Sequence, residues 1–277
     1  MQIFFCSGKK IKLGIALLCL LVFGIIATAI WPQGILSASS EQQRLVPIYE
    51  VATEQQAVAI SFDASWGAEH TQAILDTLDE YGVKATFFLV NIWLEDYPEM
   101  AKKIADAGHE IAMHSVSHPH MSQISAEQVA QELDGNRQMI VDITGYQPEL
   151  FRFPFGEYDN KSIDVVRSKG YYPIQWSIDS LDWVESKSKE DIVDRVTMGL
   201  HPGAIILCHN NGVYTAEAVD EIIAYAQGEG YQFVPVGQLI YKGKYQTDQQ
   251  GMELQPEDNA DSVNNEEGQQ GNIKNNK

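Results

Sequence analysis

Two histidines, His114 and His118, stand four residues apart after an apolar run and could bind one metal ion. Side chains separated by four residues share one face of a helical turn, although Pro119 disfavours helical backbone at His118. The pair is therefore predicted to lie on a tight turn after a strand. On spacing alone, two hydrogen-bonded or solvated histidines are the simpler interpretation, so a metal site depends on which residues accompany them.

Other polar residues capable of catalysis also follow short apolar runs. Carboxylates and imidazoles act as general bases and acids, and an arginine keeps a nearby carboxylate ionised. Residues that follow parallel strands meet at one edge of the sheet, where loops converge and ligands bind. The residues in such positions are Asp63, Arg152, Asp179, Asp182 and His209.

Short apolar runs alternate with amphipathic stretches, which predicts a parallel sheet with helical crossovers. About seven such units favour an α/β barrel, closed or nearly closed, and an open doubly wound sheet is the alternative. Strands are predicted at 57–62, 85–90, 110–113, 150–153, 172–177, 204–207 and 232–235. Helices are predicted at 68–81, 97–107, 126–144, 161–169, 188–200 and 215–229, most of them followed by a glycine.

Both ends of the chain differ in composition from this central part, residues 56–243. Within the N-terminal segment 1–40, residues 13–31 carry no charge and follow three lysines, which predicts an uncleaved membrane anchor, with a cleaved export signal as the alternative. Residues 41–55 are predicted to form a linker and residues 244–277 a disordered acidic tail. The folded domain is expected at the extracytoplasmic face of the membrane, or secreted if the segment is cleaved.

The formal net charge is −19, with 38 acidic against 19 basic side chains. Such a surface repels phosphate backbones, which argues against nucleic acid and against polyanions such as teichoic acid as partners. Of the three cysteines, Cys208 alone lies in the part predicted to be exported, so no disulfide is expected within that part. The sequence predicts no particular oligomeric state.

Five strings in this order carry a family resemblance: SFDASWG (61–67), HSVSH (114–118), RFPFGE (152–157), DSLDW (179–183) and LCHN (207–210). They resemble the five motifs of the NodB-type polysaccharide deacetylases, carbohydrate esterase family 4, over residues 56–241. Within that family the chain resembles membrane-anchored sporulation and peptidoglycan deacetylases. The resemblance implies a distorted (β/α) barrel of seven or eight units that removes N-acetyl groups from peptidoglycan or a chitin-like glycan.

The resemblance also implies an acid and a base for amide hydrolysis. Asp63 would be the base that activates water, with Arg152 orienting it. His209 would be the acid that protonates the departing amine, with Asp182 setting its protonation. These roles suit the residue types, since arginine keeps a carboxylate charged and a carboxylate raises the pKa of an imidazole.

A metal site and a substrate pocket are implied as well. His114 and His118 would bind a divalent metal, with zinc favoured over cobalt, manganese or nickel. A metal ion lowers the pKa of bound water and polarises the amide carbonyl. The residues expected to bind substrate are Trp183, Leu207, Pro154 and Phe155.

One position departs from the family pattern, in which a second, metal-binding aspartate follows the catalytic one. Here that position is Ala64, which leaves two protein ligands where catalytic zinc sites generally have three. Three alternatives follow: water completes the coordination, Glu69 or His70 substitutes for the missing ligand, or the protein binds glycan without turnover. Glycoside hydrolysis by Asp63 and Asp182 ranks last, because it leaves the histidines without a role.

Overall fold

The computed structural model describes residues 44–243 and 246–254. The strands are β1 (Glu50–Val51), β2 (Ala57–Ala64), β3 (Thr86–Leu89), β4 (Glu110–Met113), β5 (Leu150–Arg152), β6 (Tyr172–Ile174), β7 (Ile178–Asp179), β8 (Ile205–His209), β9 (Gln232–Phe233), β10 (Gln246–Thr247) and β11 (Met252–Leu254). The helices are α1 (Thr71–Glu80), α2 (Asn91–Asp96), α3 (Pro98–Asp106), α4 (Ala126–Thr144), α5 (Asn160–Ser168), α6 (Lys189–Gly199), α7 (Thr215–Gly228) and α8 (Val236–Leu239), with short 3-10 helices at Met121–Gln123 and Pro154–Gly156.

The main sheet is parallel and runs in the order β6-β5-β4-β3-β2-β8-β7, while β9 pairs with the start of β2. This is the order of seven strands around a barrel, with β6 and β7 as the two edges. The sheet is a curled half-barrel with helices, consistent with the distorted barrel that the family resemblance implies, and within the described residues β6 and β7 do not pair to close it. The strand order does not reverse at a switch point, so the doubly wound alternative is excluded.

The alternation of side chains along each strand creates two apolar layers. From β2, Ile60 and Phe62 pack in the cluster that contains buried apolar residues of helices α1 to α7, whereas Ala59 packs in the second cluster, with Phe88 of β3. Because successive side chains point to opposite faces, the layer of Ala59 continues to Asp63. On neighbouring strands the same period brings to this layer His114, Arg152, Leu207 and His209.

Local signals define the ends of the longest helix, α4. The Ser125 hydroxyl accepts a hydrogen bond from the Gln128 N–H, and the Gln128 side chain accepts one from the Ser125 N–H. Gly145 ends the helix in left-handed backbone with φ of 72°. The helix predicted over 126–144 is confirmed, and the other predicted helices match to within a few residues. Helix α2 is too short to show a helical period in sequence.

Ordered structure extends past both limits of the predicted domain, 56–243. β1 pairs in parallel with β11, and β10 pairs antiparallel with β11. Ile48 and Val51 of the predicted linker are buried, as is Glu253 of the predicted tail. These strands are only two or three residues long and show no periodic pattern. The strand predicted at 172–177 is also shorter, since only β6 (Tyr172–Ile174) lies within it, and β7 (Ile178–Asp179) follows as a separate strand that was not predicted.

No helix within residues 44–243 and 246–254 is long and apolar enough to span a membrane. The anchor predicted at 13–31 lies outside these residues and stays a prediction. The same holds for residues 255–277 of the predicted tail.

Replacing Gly203 tests the packing of β1 on the main sheet. Gly203 has φ of 80°, and its carbonyl accepts a hydrogen bond from the Val51 N–H at 3.0 Å. A β-carbon there would overlap the Val51 carbonyl oxygen, so Gly203→Ala should lower the free energy of unfolding in urea by about 2–4 kcal/mol. Gly228→Ala is the control, because a β-carbon at the end of α7 meets no atom within 4 Å. Equal stability of the two variants would contradict this packing.

Candidate active site

A buried ion pair joins Asp63 and Arg152 at the centre of the site. Arg152 is fully buried and donates from Nη1 to Asp63 Oδ1 at 2.7 Å, and from Nη2 to Ser61 Oγ at 2.9 Å. Burial alone raises the pKa of Asp63, but the charge and the hydrogen bond of Arg152 outweigh it and lower the pKa below its ordinary value of 3.8. Asp63 is therefore ionised near neutral pH.

The two histidines lie on the turn after β4, and helix α4 fixes that turn. Asn136 accepts a hydrogen bond from the His114 N–H at 2.8 Å and donates to the Leu89 carbonyl at 2.9 Å. One turn earlier, Glu132 accepts from the Val116 and Ser117 N–H groups, both at 2.8 Å. Glu132 and Asn136 thus bind four backbone groups near the histidines.

The backbone of the site loops is strained. In the described part of the chain, the non-glycine residues with positive φ are Ser115, His118, Phe155 and Leu181, at 79°, 54°, 58° and 56°. Left-handed backbone costs such residues about 1–3 kcal/mol each and persists only where surrounding contacts enforce it. All four lie in loops at the carboxyl edge of the sheet. Strain is thus concentrated where the predicted site residues are.

His114 and His118 have the protonation that a metal ligand needs. The His114 Nδ1 lies 2.9 Å from the Arg152 carbonyl, which can only accept, so Nδ1 carries the proton and Nε2 has a free lone pair. The ring of His118 lies 5.0 Å from that of His114, between centroids. Burial lowers the pKa of both imidazoles, to about 4 for His118. The two neutral rings fit as ligands of one divalent ion.

A third protein ligand is not present in the described residues, where no three His, Cys, Asp or Glu side chains are arranged to hold a metal. Ala64 is fully buried and packs in the helix-facing cluster. Glu69 lies against Gly67, and His70 precedes α1. Substitution by Glu69 or His70 is therefore not observed, and the donor set is one protein ligand short of the usual catalytic zinc site.

The acid and base candidates occupy neighbouring strands. Asp63 on β2 and His209 on β8 are register partners, so their side chains point to the same face, with Cα atoms about 5 Å apart. His209 Nδ1 lies 2.8 Å from Asp182 Oδ1. Burial lowers the pKa of His209, but the hydrogen bond and charge of Asp182 outweigh it and raise the pKa above 6.5. His209 is thus favoured in its protonated form.

The predicted substrate-binding residues surround this edge in different environments. Phe155 is 55% exposed, and its ring lies 4.5 Å from that of His118. Trp183 is 60% exposed beside the buried Asp182, whereas Leu207 and Pro154 are buried. The contact of Phe155 with His118 places one exposed aromatic ring directly beside the histidine pair.

The sequence analysis did not predict the residues whose side chains hold the loops of the site by hydrogen bonds to their backbone. Glu132 and Asn136 are polar residues four apart on α4, with the buried Val129, Leu133 and Ile140 of the same helix around them. Asn210 is fully buried and donates to the Gly67 carbonyl at 2.8 Å, which ties the loop after β2 to β8. Glu132 and Asn136 could have been predicted, because a pair of polar residues on the apolar face of a helix indicates buried hydrogen-bond partners.

The chain is similar to polysaccharide deacetylases. The model of the polysaccharide deacetylase family matches residues 50–174. Peptidoglycan-N-acetylmuramic acid deacetylase PdaA of Bacillus subtilis is 31% identical over 193 residues, which are 69% of this chain and 73% of PdaA. YlxY, an uncharacterized protein of the same organism, is 33% identical over 194 residues, which are 70% of this chain and 60% of YlxY.

The chain is also similar to a solved structure of a protein that is described as a pseudoenzyme. Wild-type BA3943 from Bacillus anthracis, described as a CE4 family pseudoenzyme, has a TM-score of 0.67 and 30% sequence identity, over 70% of this chain and 68% of that one. A BA3943 mutant described as having restored enzymatic activity has a TM-score of 0.67 and 31% identity, over 70% of this chain and 71% of that one. Proteins similar to this chain therefore include a named deacetylase and a pseudoenzyme.

Replacing Asn136 tests the support of the histidine turn by α4. Asn136→Ala removes the hydrogen bonds that Asn136 makes to the His114 N–H, the Leu89 carbonyl and Asn91, and leaves the His114 N–H only its 3.2 Å bond to the Leu89 carbonyl. The free energy of unfolding should therefore fall by about 1–3 kcal/mol. The control is Gln138→Ala on the same helix, where the side chain is exposed and bonds to Asp142. Urea unfolding of both variants measures the difference, and an Asn136 loss no larger than the Gln138 loss would contradict the proposed support.

Proposed function

Because the chain belongs to the polysaccharide deacetylase family, we propose that it hydrolyses N-acetyl groups from a cell-wall amino-sugar polysaccharide. Peptidoglycan is the favoured substrate, since similar proteins are named peptidoglycan deacetylases. A neutral, chitin-like oligomer has the same amide. We also propose the extracytoplasmic location and the anchor at residues 13–31, on the sequence pattern alone.

The observation that carries this proposal is that a carboxylate held by an arginine and an imidazole held by a carboxylate share one face of the sheet. Asp63 is bound by Arg152, and its register partner His209 is bound by Asp182. Arg152 lowers the pKa of Asp63 and Asp182 raises the pKa of His209, which favours an unprotonated base beside a protonated acid. Amide hydrolysis needs such a pair, because water must lose a proton and the amine must gain one.

The chain's own residues divide the reaction between them. Asp63 Oδ1 is bound by Arg152, so Oδ2 is the oxygen that takes the proton from the attacking water. His209 is held through Nδ1 by Asp182, which leaves Nε2 to donate to the departing amine. Arg152 itself stays buried behind Asp63 and orients it.

His114 Nε2 and the His118 ring are the groups that would hold a divalent metal in this reaction. When bound, such an ion lowers the pKa of the attacking water and stabilises the charge on the amide oxygen. Because Ala64 stands where the family pattern has a metal-binding aspartate, water or substrate oxygen must supply the remaining ligands. Metal affinity below that of a site with three protein ligands is the expected consequence.

A second function, glycan binding without turnover, is favoured by one observation. Ala64 offers a methyl group where the family pattern has a ligand, and a protein similar to this chain is described as a pseudoenzyme.

Glycoside hydrolysis is less well supported. Both oxygens of Asp182 accept hydrogen bonds from His209 and Thr215, so Asp182 does not present a proton to a glycosidic oxygen.

Acetate release from N-acetylglucosamine oligomers and from peptidoglycan tests the proposal. The full-length chain should release acetate when zinc or cobalt is added, and Asp63→Asn should lower the rate by at least about 100-fold. Glycan binding with no release under any metal would replace the first function by the second. Loss of both binding and release would exclude both.

Restoring a carboxylate at position 64 tests the shortage of metal ligands. Ala64→Asp buries a charge in an apolar cluster, so without metal its thermal unfolding temperature should fall below that of the wild type. Added zinc should then raise it by more than it raises the wild type, because a third ligand strengthens binding to the folded state.

Ala64→Asn is the matched control, since asparagine has the size of aspartate but no charge. Its unfolding temperature should also fall below that of the wild type, but added zinc should not raise it by more than it raises the wild type. Equal responses of Ala64→Asp and wild type to zinc would show that position 64 does not face the metal.

The pH profile follows from the shifted groups. The depressed pKa of Asp63 keeps the base ionised into the acid range, so as the pH falls activity is lost first where the metal-binding His118, with a pKa of about 4, becomes protonated. The raised pKa of His209 keeps the acid protonated to above pH 6.5, and activity is lost as the pH rises through it. In Asp182→Asn the alkaline limb of kcat/KM should move to lower pH, because the charge that raises the pKa of His209 is removed. An alkaline limb of kcat/KM at the same pH in Asp182→Asn as in the wild type would contradict the role of His209 as the acid.

A further inference from the structure

A third group contacts the carboxylate that orients the predicted acid. Asp182, whose side chain is fully buried, binds His209 Nδ1 through Oδ1 at 2.8 Å. Its other oxygen, Oδ2, accepts from the His209 backbone N–H at 2.7 Å and from the Thr215 hydroxyl at 2.6 Å. An ionised carboxylate only accepts, so the hydroxyl proton of Thr215 is directed to Asp182. The contact joins the first residue of α7 to the loop after β7.

Thr215 is placed for this contact and not for capping its own helix. The residue that caps α7, Tyr214, makes no side-chain hydrogen bond to the helix. The Thr215 hydroxyl is buried and bonds to Asp182 instead. A β-carbon at Gly212 would overlap this hydroxyl and would lie 3.0 Å from the Asp182 carbonyl oxygen. Glycine at position 212 thus leaves the space in which the contact forms.

We propose that Thr215 is a positioning residue whose hydroxyl holds the Asp182 carboxylate in the orientation that fixes His209. Two donors on Oδ2, one from His209 and one from Thr215, stop the carboxylate rotating about its Cβ–Cγ bond. Oδ1 then stays in line with His209 Nδ1, and Nε2 is the nitrogen left for the site. The catalytic consequence rests on the proposed function, while the orientation does not.

The substitution Thr215→Val keeps the shape and removes the donor, whereas Thr215→Ser keeps the donor and removes a methyl group. With full-length protein labelled with ¹⁵N at histidine, the titration midpoint of His209 should move down in Thr215→Val and stay near the wild-type value in Thr215→Ser. The other titratable groups that interact with His209, which are Asp63, Asp179 and His114, are the same in all variants. Loss of the signal in His209→Gln assigns it.

Turnover gives a second, independent readout. In Thr215→Val, kcat for acetate release should fall by about 10-fold with KM unchanged, and Thr215→Ser should restore it. A midpoint that moves down in the valine variant alone supports the positioning role even if the wild type releases no acetate, a result that would count against the proposed function only. An unchanged or raised midpoint in folded Thr215→Val overturns the positioning role, whatever the activity.

Discussion

The buried ion pair between Arg152 and Asp63 is the interaction on which the site depends. Arg152 comes from β5 and contacts residues of four other strands or their ends: Ser61 and Asp63 on β2, Phe88 on β3, His114 after β4 and the Gln175 carbonyl after β6. Taking two charges out of water is costly, and removing one partner leaves the other uncompensated, at a cost of about 3–5 kcal/mol. The curled sheet is therefore held together at its functional edge by the same pair that keeps Asp63 ionised.

The repeat of strand and helix and the period of two along strands carried most of the sequence-based prediction. They predicted a parallel sheet with helical crossovers, closed or nearly closed into a barrel, and placed Asp63, Arg152 and His209 at one edge. Local patterns could not reveal that β6 and β7, which only residues 175–177 connect, are the two unpaired edges of the sheet. They also missed β1, β10 and β11, because strands of two or three residues leave no period.

The residues that support the turn of His114 and His118 could not be predicted from local sequence patterns either, for a different reason. Glu132 and Asn136 act on backbone groups that are remote in sequence, so their partners are known only once α4 is packed against the turn. Strained backbone at Ser115 and His118 has the same origin, since non-glycine residues adopt it only when packing enforces it. Ala64, by contrast, was visible in sequence as a missing ligand, and the described residues provide no replacement for it.

In the proposed function, Asp63 and His209 are the base and the acid that act on an N-acetyl group. Mass spectrometry of N-acetylglucosamine oligomers after incubation with the full-length chain and zinc distinguishes this reaction from its alternatives. We expect oligomers of unchanged length in which acetyl groups are replaced by free amines, and we expect these products to be absent with Asp63→Asn and His209→Ala. Shortened oligomers with every acetyl group intact, or unaltered oligomers bound to the protein, would contradict the proposed function.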